Sequence, residues 1–230
     1  MYNSAHQIAA LSLCFLLNAS SAYAHENGAI LNGAYNPVHP EPCTDSKGLH
    51  VQYLRQTSWA VAQHGSLYSF AFLSPGSEPR KPMTMVDTEE LPKLPPAFQE
   101  YVHAHECAHH RLGHTYEGLG LAEIKSAQSG SEHAYDELMR RYVEREKETD
   151  MRAIEWLVAY KSFGVKEMEI IAKTWEAIIA KYVQPNLGKG SLPKLTAMFV
   201  NKPKTIREAF LYALNTNYII REKSPQVIVQ

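Results

Sequence analysis

The sequence predicts an α+β protein: a small N-terminal antiparallel sheet followed by a mostly helical core. Three observations carry this. Short runs rich in β-branched and aromatic residues, bounded by turn residues, are confined to the first ninety or so positions. Two later stretches repeat their apolar residues at alternating spacings of four and three, the period of an amphipathic helix. Proline and glycine then punctuate the chain where those helices should start and stop.

Taken in order, residues 1–24 contain no Lys, Arg, Asp or Glu, carry an apolar run from Ile8 to Leu17, and end in Ala22-Tyr23-Ala24. That pattern predicts a cleaved export signal, a mature chain starting at His25, and a periplasmic or secreted location. An uncleaved anchor is the alternative, because no basic residue precedes the run, although the run is short for a bilayer span. Cys14 sits inside the run behind the bulky Leu13 and does not read as a lipoprotein cysteine. Residues 25–48, rich in Gly, Pro and Asn, read as an extended lead-in. Leu49–Leu54 and Ser58–Leu73 read as strands, the second broken by a turn at His64-Gly65-Ser66, and Met83–Val86 as a short edge strand. The Pro-rich Leu91–Pro96 leads into a helix from about Ala97 to Leu112, with Gly113 as its stop. A long helix is expected from about Glu132 to Phe163, ended by Gly164, another over Val165–Tyr182, and a last one over Thr205–Leu214. Residues 25–94 and 95–230 are thus an extended segment with a sheet and a helical core, together one compact domain. About 206 residues remain after the signal, enough for one substantial core.

A formal net charge of -1, with 23 basic and 24 acidic side chains, excludes the basic footprint of a nucleic-acid binder. No internal repeat is present, and no segment after the signal is apolar enough to span a membrane.

The chemistry is concentrated in His105-Glu106-Cys107-Ala108-His109. Two histidines four residues apart on a helix project from one face and can grip one metal ion, and the Glu beside the first is placed to act on a water there. Phe98, Val102, His105, His109 and Leu112 follow spacings of four, three, four and three, so both imidazoles fall in an apolar, inward-facing stripe. A helix with two ordinary, hydrogen-bonded histidines is the alternative. In the next long helix Met139, Val143, Glu146, Asp150, Ala153 and Leu157 repeat the pattern, placing two carboxylates in an apolar seam where they need a cation. The competing reading is a solvated charge run, Glu144-Arg145-Glu146-Lys147-Glu148.

His-Glu-x-x-His followed by Glu-x-x-x-Asp resembles the gluzincin metallopeptidases, and Glu146-Lys147-Glu148-Thr149-Asp150 resembles the form found in HtpX-like and CAAX-prenyl-protease-like peptidases, with Thr149 where those have Ala. The resemblance covers roughly residues 82–160. It implies a zincin-like core with one zinc ion per chain bound by His105, His109 and Glu146, Glu106 as general base, and Asp150 orienting a ligand histidine from behind. The implied activity is zinc-dependent cleavage of a peptide or protein substrate. Lys202-Pro203-Lys204-Thr205-Ile206-Arg207 is similar to a His-Pro segment with a following Arg in such peptidases, one residue short and with Lys202 for the His. By that resemblance Arg207, or Tyr212, would donate to the oxyanion; the simpler reading has Pro203 starting a helix with Arg207 on its surface. A different class of function is a zinc-binding interaction or chaperone-like module without turnover.

The remaining candidates stay open. Glu117, Glu123, Glu132 and Asp136 are rival third ligands. His103, His110 and His114 read as hydrogen-bonded structural histidines, with a second metal or pH sensing as the alternative. Cys43 and Cys107 can pair in an oxidising compartment, or Cys107 can be a buried thiol.

Overall fold

The computed structural model describes residues 30–31, 43–63, 66–76, 79–117, 132–184 and 193–223. The expected signal segment 1–24, the rival ligand Glu123 and the side chain of Glu132 lie outside them.

The first elements are β1 (Ile30–Leu31), β2 (Gln52–Gln56), a short helix α1 (Ser58–Gln63), β3 (Ser69–Leu73) and β4 (Pro82–Asp87). The four strands form one sheet in the order β1-β2-β4-β3. β1 pairs antiparallel with β2 and β3 antiparallel with β4, but β2 and β4 run parallel, Gln52 opposite Met83 through Gln56 opposite Asp87. The sheet is therefore mixed rather than antiparallel. The reason is local. Ser58–Gln63 is a helix and not a strand: the Thr57 hydroxyl accepts from Ala60 N at 3.3 Å, and the Thr57 carbonyl accepts from Val61 N at 3.1 Å, an N-cap that turns the chain out of β2. With that helix in the connection, β4 enters beside β2 in the same direction. β4 is consequently an interior strand, in agreement with its burial from Thr84 through Asp87, and β3 takes the edge.

The helical layer follows. α2 (Pro96–Arg111) starts on Pro95-Pro96 and stops at Gly113, whose φ of +79° lets a 3-10 turn, His114–Tyr116, fold back beneath its end. α3 (Glu132–Lys161) ends where Ser162 takes a positive φ, and α4 (Val165–Ile178) begins with the Gly164 N–H donating to the Glu167 carboxylate at 3.0 Å, then runs into a π-turn at Ile179–Val183. α5 is longer than its sequence suggested, Pro193–Lys223, with Pro203 inside it rather than at its start.

One apolar core joins sheet and helices: Tyr68 and Val86 from the sheet, Phe98, Tyr101 and Val102 from α2, Ile154 and Leu157 from α3, Ile171 and Trp175 from α4, and Ile206 and Ala213 from α5. Phe98 anchors it, edge-on to Tyr68 and to Trp175 with ring centroids 6.0 and 5.5 Å apart. Among the described residues no helix is long and apolar enough to cross a membrane.

Candidate metal centre

Both amphipathic stripes are buried. On α2, Phe98 and Val102 lead to His105 and His109, and on α3 Met139, Glu146, Asp150, Ala153 and Leu157 all face inward while Glu144, Lys147 and Glu148 are exposed. The two stripes pack together, and that contact brings three sequence-distant donors to one point. His105 Nε2 lies 3.2 Å from His109 Nε2 and 3.4 Å from Glu146 Oε2, and His109 Nε2 lies 3.4 Å from Glu146 Oε1. Taking one donor atom from each residue, the three lie within 4.8 Å of one another, an N,N,O group that could hold one metal ion.

The charge inventory agrees. Glu106, Glu146 and Asp150 are buried against one buried ammonium, Lys202, leaving a deficit that a divalent cation cancels. Lys202 Nζ sits 2.9 Å from Asp150 Oδ2 and 3.6 Å from Glu146 Oε2. Burial works against its charge, but the two carboxylates outweigh it and hold its pKa above the ordinary value. Glu146 is held well below the carboxylate range: burial opposes ionisation, and His109, His105 and Lys202 overcome it. Burial and Lys202 disfavour a charged His105, yet its hydrogen bonds to Asp150 and Glu146 raise its pKa to about 9. The carboxylates thus draw positive charge to this point, and a proton on His105 or a metal ion supplies it.

Asp150 stands behind His105, its Oδ1 2.9 Å from Nδ1, and also accepts from the Tyr101 hydroxyl at 2.6 Å. A carboxylate can only accept, so Nδ1 of His105 carries a proton, and in the neutral ring the Nε2 lone pair faces Glu146 and His109. Glu106 lines the same cavity of about 330 Å³, where Ser69 Oγ donates to its Oε1 at 2.6 Å. β3 borders that cavity, and its outer edge is not paired with another strand among the described residues.

Two other sequence candidates are placed elsewhere. Arg207 pairs with Glu169 at 2.9 Å and Glu176 at 3.0 Å on the outer side of α4, and Tyr212 is half-exposed on α5; neither lines the cavity, so the oxyanion role has no support in their positions. Lys202, which stood in that segment only as a replaced His, is the residue that enters. Its signal was legible: Met198, Lys202, Ile206, Ala209 and Ala213 form an inward stripe with the lysine in its seam. Ser69 and Tyr101 were also missed; Tyr101 lies one turn before His105 on the same face, whereas nothing in the sequence pairs Ser69 with Glu106.

Of the rival ligands, Glu117 and Asp136 are exposed and outside the cluster. His110 does not pair with His114: its Nε2 is 3.0 Å from Thr84 Oγ1, and burial lowers its pKa to about 4. His103 packs edge-on to Tyr53, and burial likewise lowers its pKa to about 4. Cys43 and Cys107 form a disulfide that ties the lead-in segment to α2. Ser46 N donates to the His110 carbonyl at 3.0 Å beside it, and Tyr116 donates to Asp45, so the loop clasps the end of the motif helix. No family model, curated protein or solved structure matches the chain.

Proposed function

We propose that the protein is a zinc-dependent endopeptidase that works in an oxidising compartment outside the cytoplasm. The observation that carries this reading is the group of His105, His109 and Glu146, whose donor atoms lie within 4.8 Å of one another in one cavity with the buried carboxylate of Glu106. The gluzincin resemblance of the two motifs supports it independently of the geometry. A zinc ion held there would act as a Lewis acid, polarising a substrate carbonyl and making water acidic enough to attack near neutral pH.

The chain's own residues supply the rest. Glu106 takes the proton from the attacking water and passes it to the leaving amine, a task that needs a carboxylate free to rise and fall in protonation. Ser69 fixes Glu106 through one oxygen and leaves the other for the reaction. β3 is an edge strand among the described residues and borders the cavity, and strand addition beside such an edge is an ordinary way to take an extended peptide. Lys202 keeps Asp150 and Glu146 apart electrostatically, so that both remain ionised behind and beside the ligand histidines. The compartment is argued from the Cys43–Cys107 disulfide, since such bonds persist where thiols are not kept reduced, and from the leader-like residues 1–24.

The test is Glu106→Gln. It keeps the shape and the Ser69 contact, and is expected to retain zinc while losing cleavage of a mixed peptide library read by mass spectrometry. Cleavage at the wild-type rate in that variant would refute the assignment. Wild-type protein that binds zinc but cleaves nothing, with its cellular function intact in the Glu106→Gln variant, would favour the zinc-stabilised interaction module instead.

A further inference from the structure

Resting on the metal reading above, we propose that His114 and Thr149 together are the positioning pair of His109, doing for the second ligand histidine what Asp150 does for the first. The observation is a set of three contacts: His109 Nδ1 lies 3.1 Å from His114 Nδ1 and 3.3 Å from Thr149 Oγ1, and Thr149 Oγ1 is 3.2 Å from His114 Nδ1. All three groups are buried.

Proton counting fixes their roles. Thr149 donates its only hydrogen to the Arg145 carbonyl one turn back, at 2.8 Å, so toward the two rings its oxygen presents lone pairs alone. His109 turns Nε2 toward His105 and Glu146, and to ligate through Nε2 it must keep its proton on Nδ1. That proton has two acceptors, Thr149 Oγ1 and a His114 whose Nδ1 is bare. His114 is then the Nε2–H tautomer, with Nε2 facing Glu148 Oε2 at 3.6 Å, too far for a strong bond and open toward the surface through the half-exposed Glu148. The other assignment, with protons on both Nδ1 atoms sharing Thr149 Oγ1, sets two N–H groups against each other across 3.1 Å, and the Nε2–H tautomer of His114 avoids that clash.

The local sequence makes the arrangement possible. His114 is five residues after His109, so on a continued helix it would point about 140° away from it. Gly113 at φ +79° breaks the helix and starts the 3-10 turn that carries His114 back under His109. A Cβ at 113 would stand 3.1 Å from Ser46 Oγ and in a backbone region that disfavours side chains. Arg145 Nη1 donates to the His114 carbonyl at 3.4 Å, tying the turn to the same helix that supplies Thr149. Thr149 occupies the position where the resembled peptidases have Ala; a methyl there could accept nothing, and the hydroxyl is what completes the pair.

The experiment measures zinc affinity by competition with a chromogenic chelator for wild type, His114→Phe, His114→Asn and Thr149→Val, alongside melting of each metal-free protein. His114→Phe keeps ring volume and removes the acceptor, and is expected to weaken zinc binding by about 10- to 100-fold, the usual loss for an outer partner of a ligand histidine. His114→Asn places an acceptor oxygen near the Nδ1 position and should recover most of that loss, and Thr149→Val should fall between wild type and His114→Phe. In ¹⁵N-labelled, zinc-loaded wild type, His114 should carry its proton on Nε2. Affinity unchanged in His114→Phe, an Asn variant as weak as the Phe variant with an equal drop in metal-free melting, or a His114 proton on Nδ1 each overturns the proposal. A wild type that takes up no stoichiometric zinc overturns the metal reading beneath it, an outcome distinct from the other three.

Discussion

Replacing Glu146 with Ala separates a metal centre from a buried polar cluster, because only a metal centre makes the response to zinc depend on this carboxylate. Without metal, His109, His105 and Lys202 hold Glu146 ionised, so its removal strands part of that positive charge while Lys202 keeps Asp150 at 2.9 Å. The metal-free variant should therefore melt below the metal-free wild type, and each zinc response is read from the protein's own metal-free baseline. Zinc response should differ sharply. Free zinc at about a hundred times Kd stabilises a native state by about 2.7 kcal/mol. For a chain of this size that is a rise of about 5–11 °C in Tm. Loss of a direct ligand costs more than the roughly 10- to 100-fold typical of an outer partner. At the same free zinc the variant is then at most half saturated, worth about 0.4 kcal/mol and about 1–2 °C. Asp150→Asn should lie between the two, and Glu148→Ala, whose side chain is half-exposed and 3.6 Å from His114, should show the full wild-type shift. Differential scanning fluorimetry in a zinc-buffered solution reads all four. An equal zinc-induced rise in wild type and Glu146→Ala would sink the assignment of Glu146 as third ligand.

Three further outcomes follow from contacts already described. Ser69→Ala removes a hydrogen bond to a buried carboxylate, worth about 1.5–3 kcal/mol, and is expected to lower kcat/KM on the order of 10- to 100-fold with zinc content unchanged; a parallel fall in zinc content would show that Ser69 acts on the fold instead. Replacing both Cys43 and Cys107 with Ser opens a loop with a sequence separation of 64 and should cost about 2–4 kcal/mol, measured by urea unfolding under non-reducing conditions. The metal-free protein should lose stability as pH falls from 6.5 to 4. Burial depresses the folded pKa of His110 to about 4, so its contribution is fully present above pH 6.5 and is lost through that window, on the order of 3 kcal/mol. His110→Gln should flatten that part of the profile, and an unchanged slope in the variant would assign the acid sensitivity to other groups.

The helices of the site were legible because each carries its own period. The stripes of α2 and α3 announce which side chains turn inward, Gly113 and Gly164 mark their ends, and the two cysteines beyond residue 24 suggest their own bond. The sheet was harder. Trp59-Ala60-Val61 is too short an apolar run to distinguish a helical turn from a strand, and only the Thr57 cap decides it. Met83–Val86 read as an edge because a strand's neighbours are not written in its own residues; β4 became interior once β2 arrived parallel to it. Pro203 reads as a helix start because proline favours the first turn, whereas α5 carries it internally. The contacts of Ser69 with Glu106 and of Lys202 with Asp150 join residues 37 and 52 positions apart. They are products of packing between elements, and no local spacing records them.

The disulfide gives the motif helix an axle that cannot turn. A helix lying in a core is free to roll slightly about its long axis, and a side-chain tip about 6 Å from that axis sweeps about 1 Å for each 10° of roll. A displacement of that size is enough to cost a reacting centre about a hundredfold. Cys107 lies midway between His105 and His109 in sequence, about 200° around the helix from each, and its bond to Cys43 fixes the helix from the far side while Asp150 and Thr149 hold the near side. With contacts to Asp150 and Thr149 in front and a covalent tether behind, the helix resists roll from both ends of a diameter, so reduction of a bond that touches neither imidazole should loosen both together.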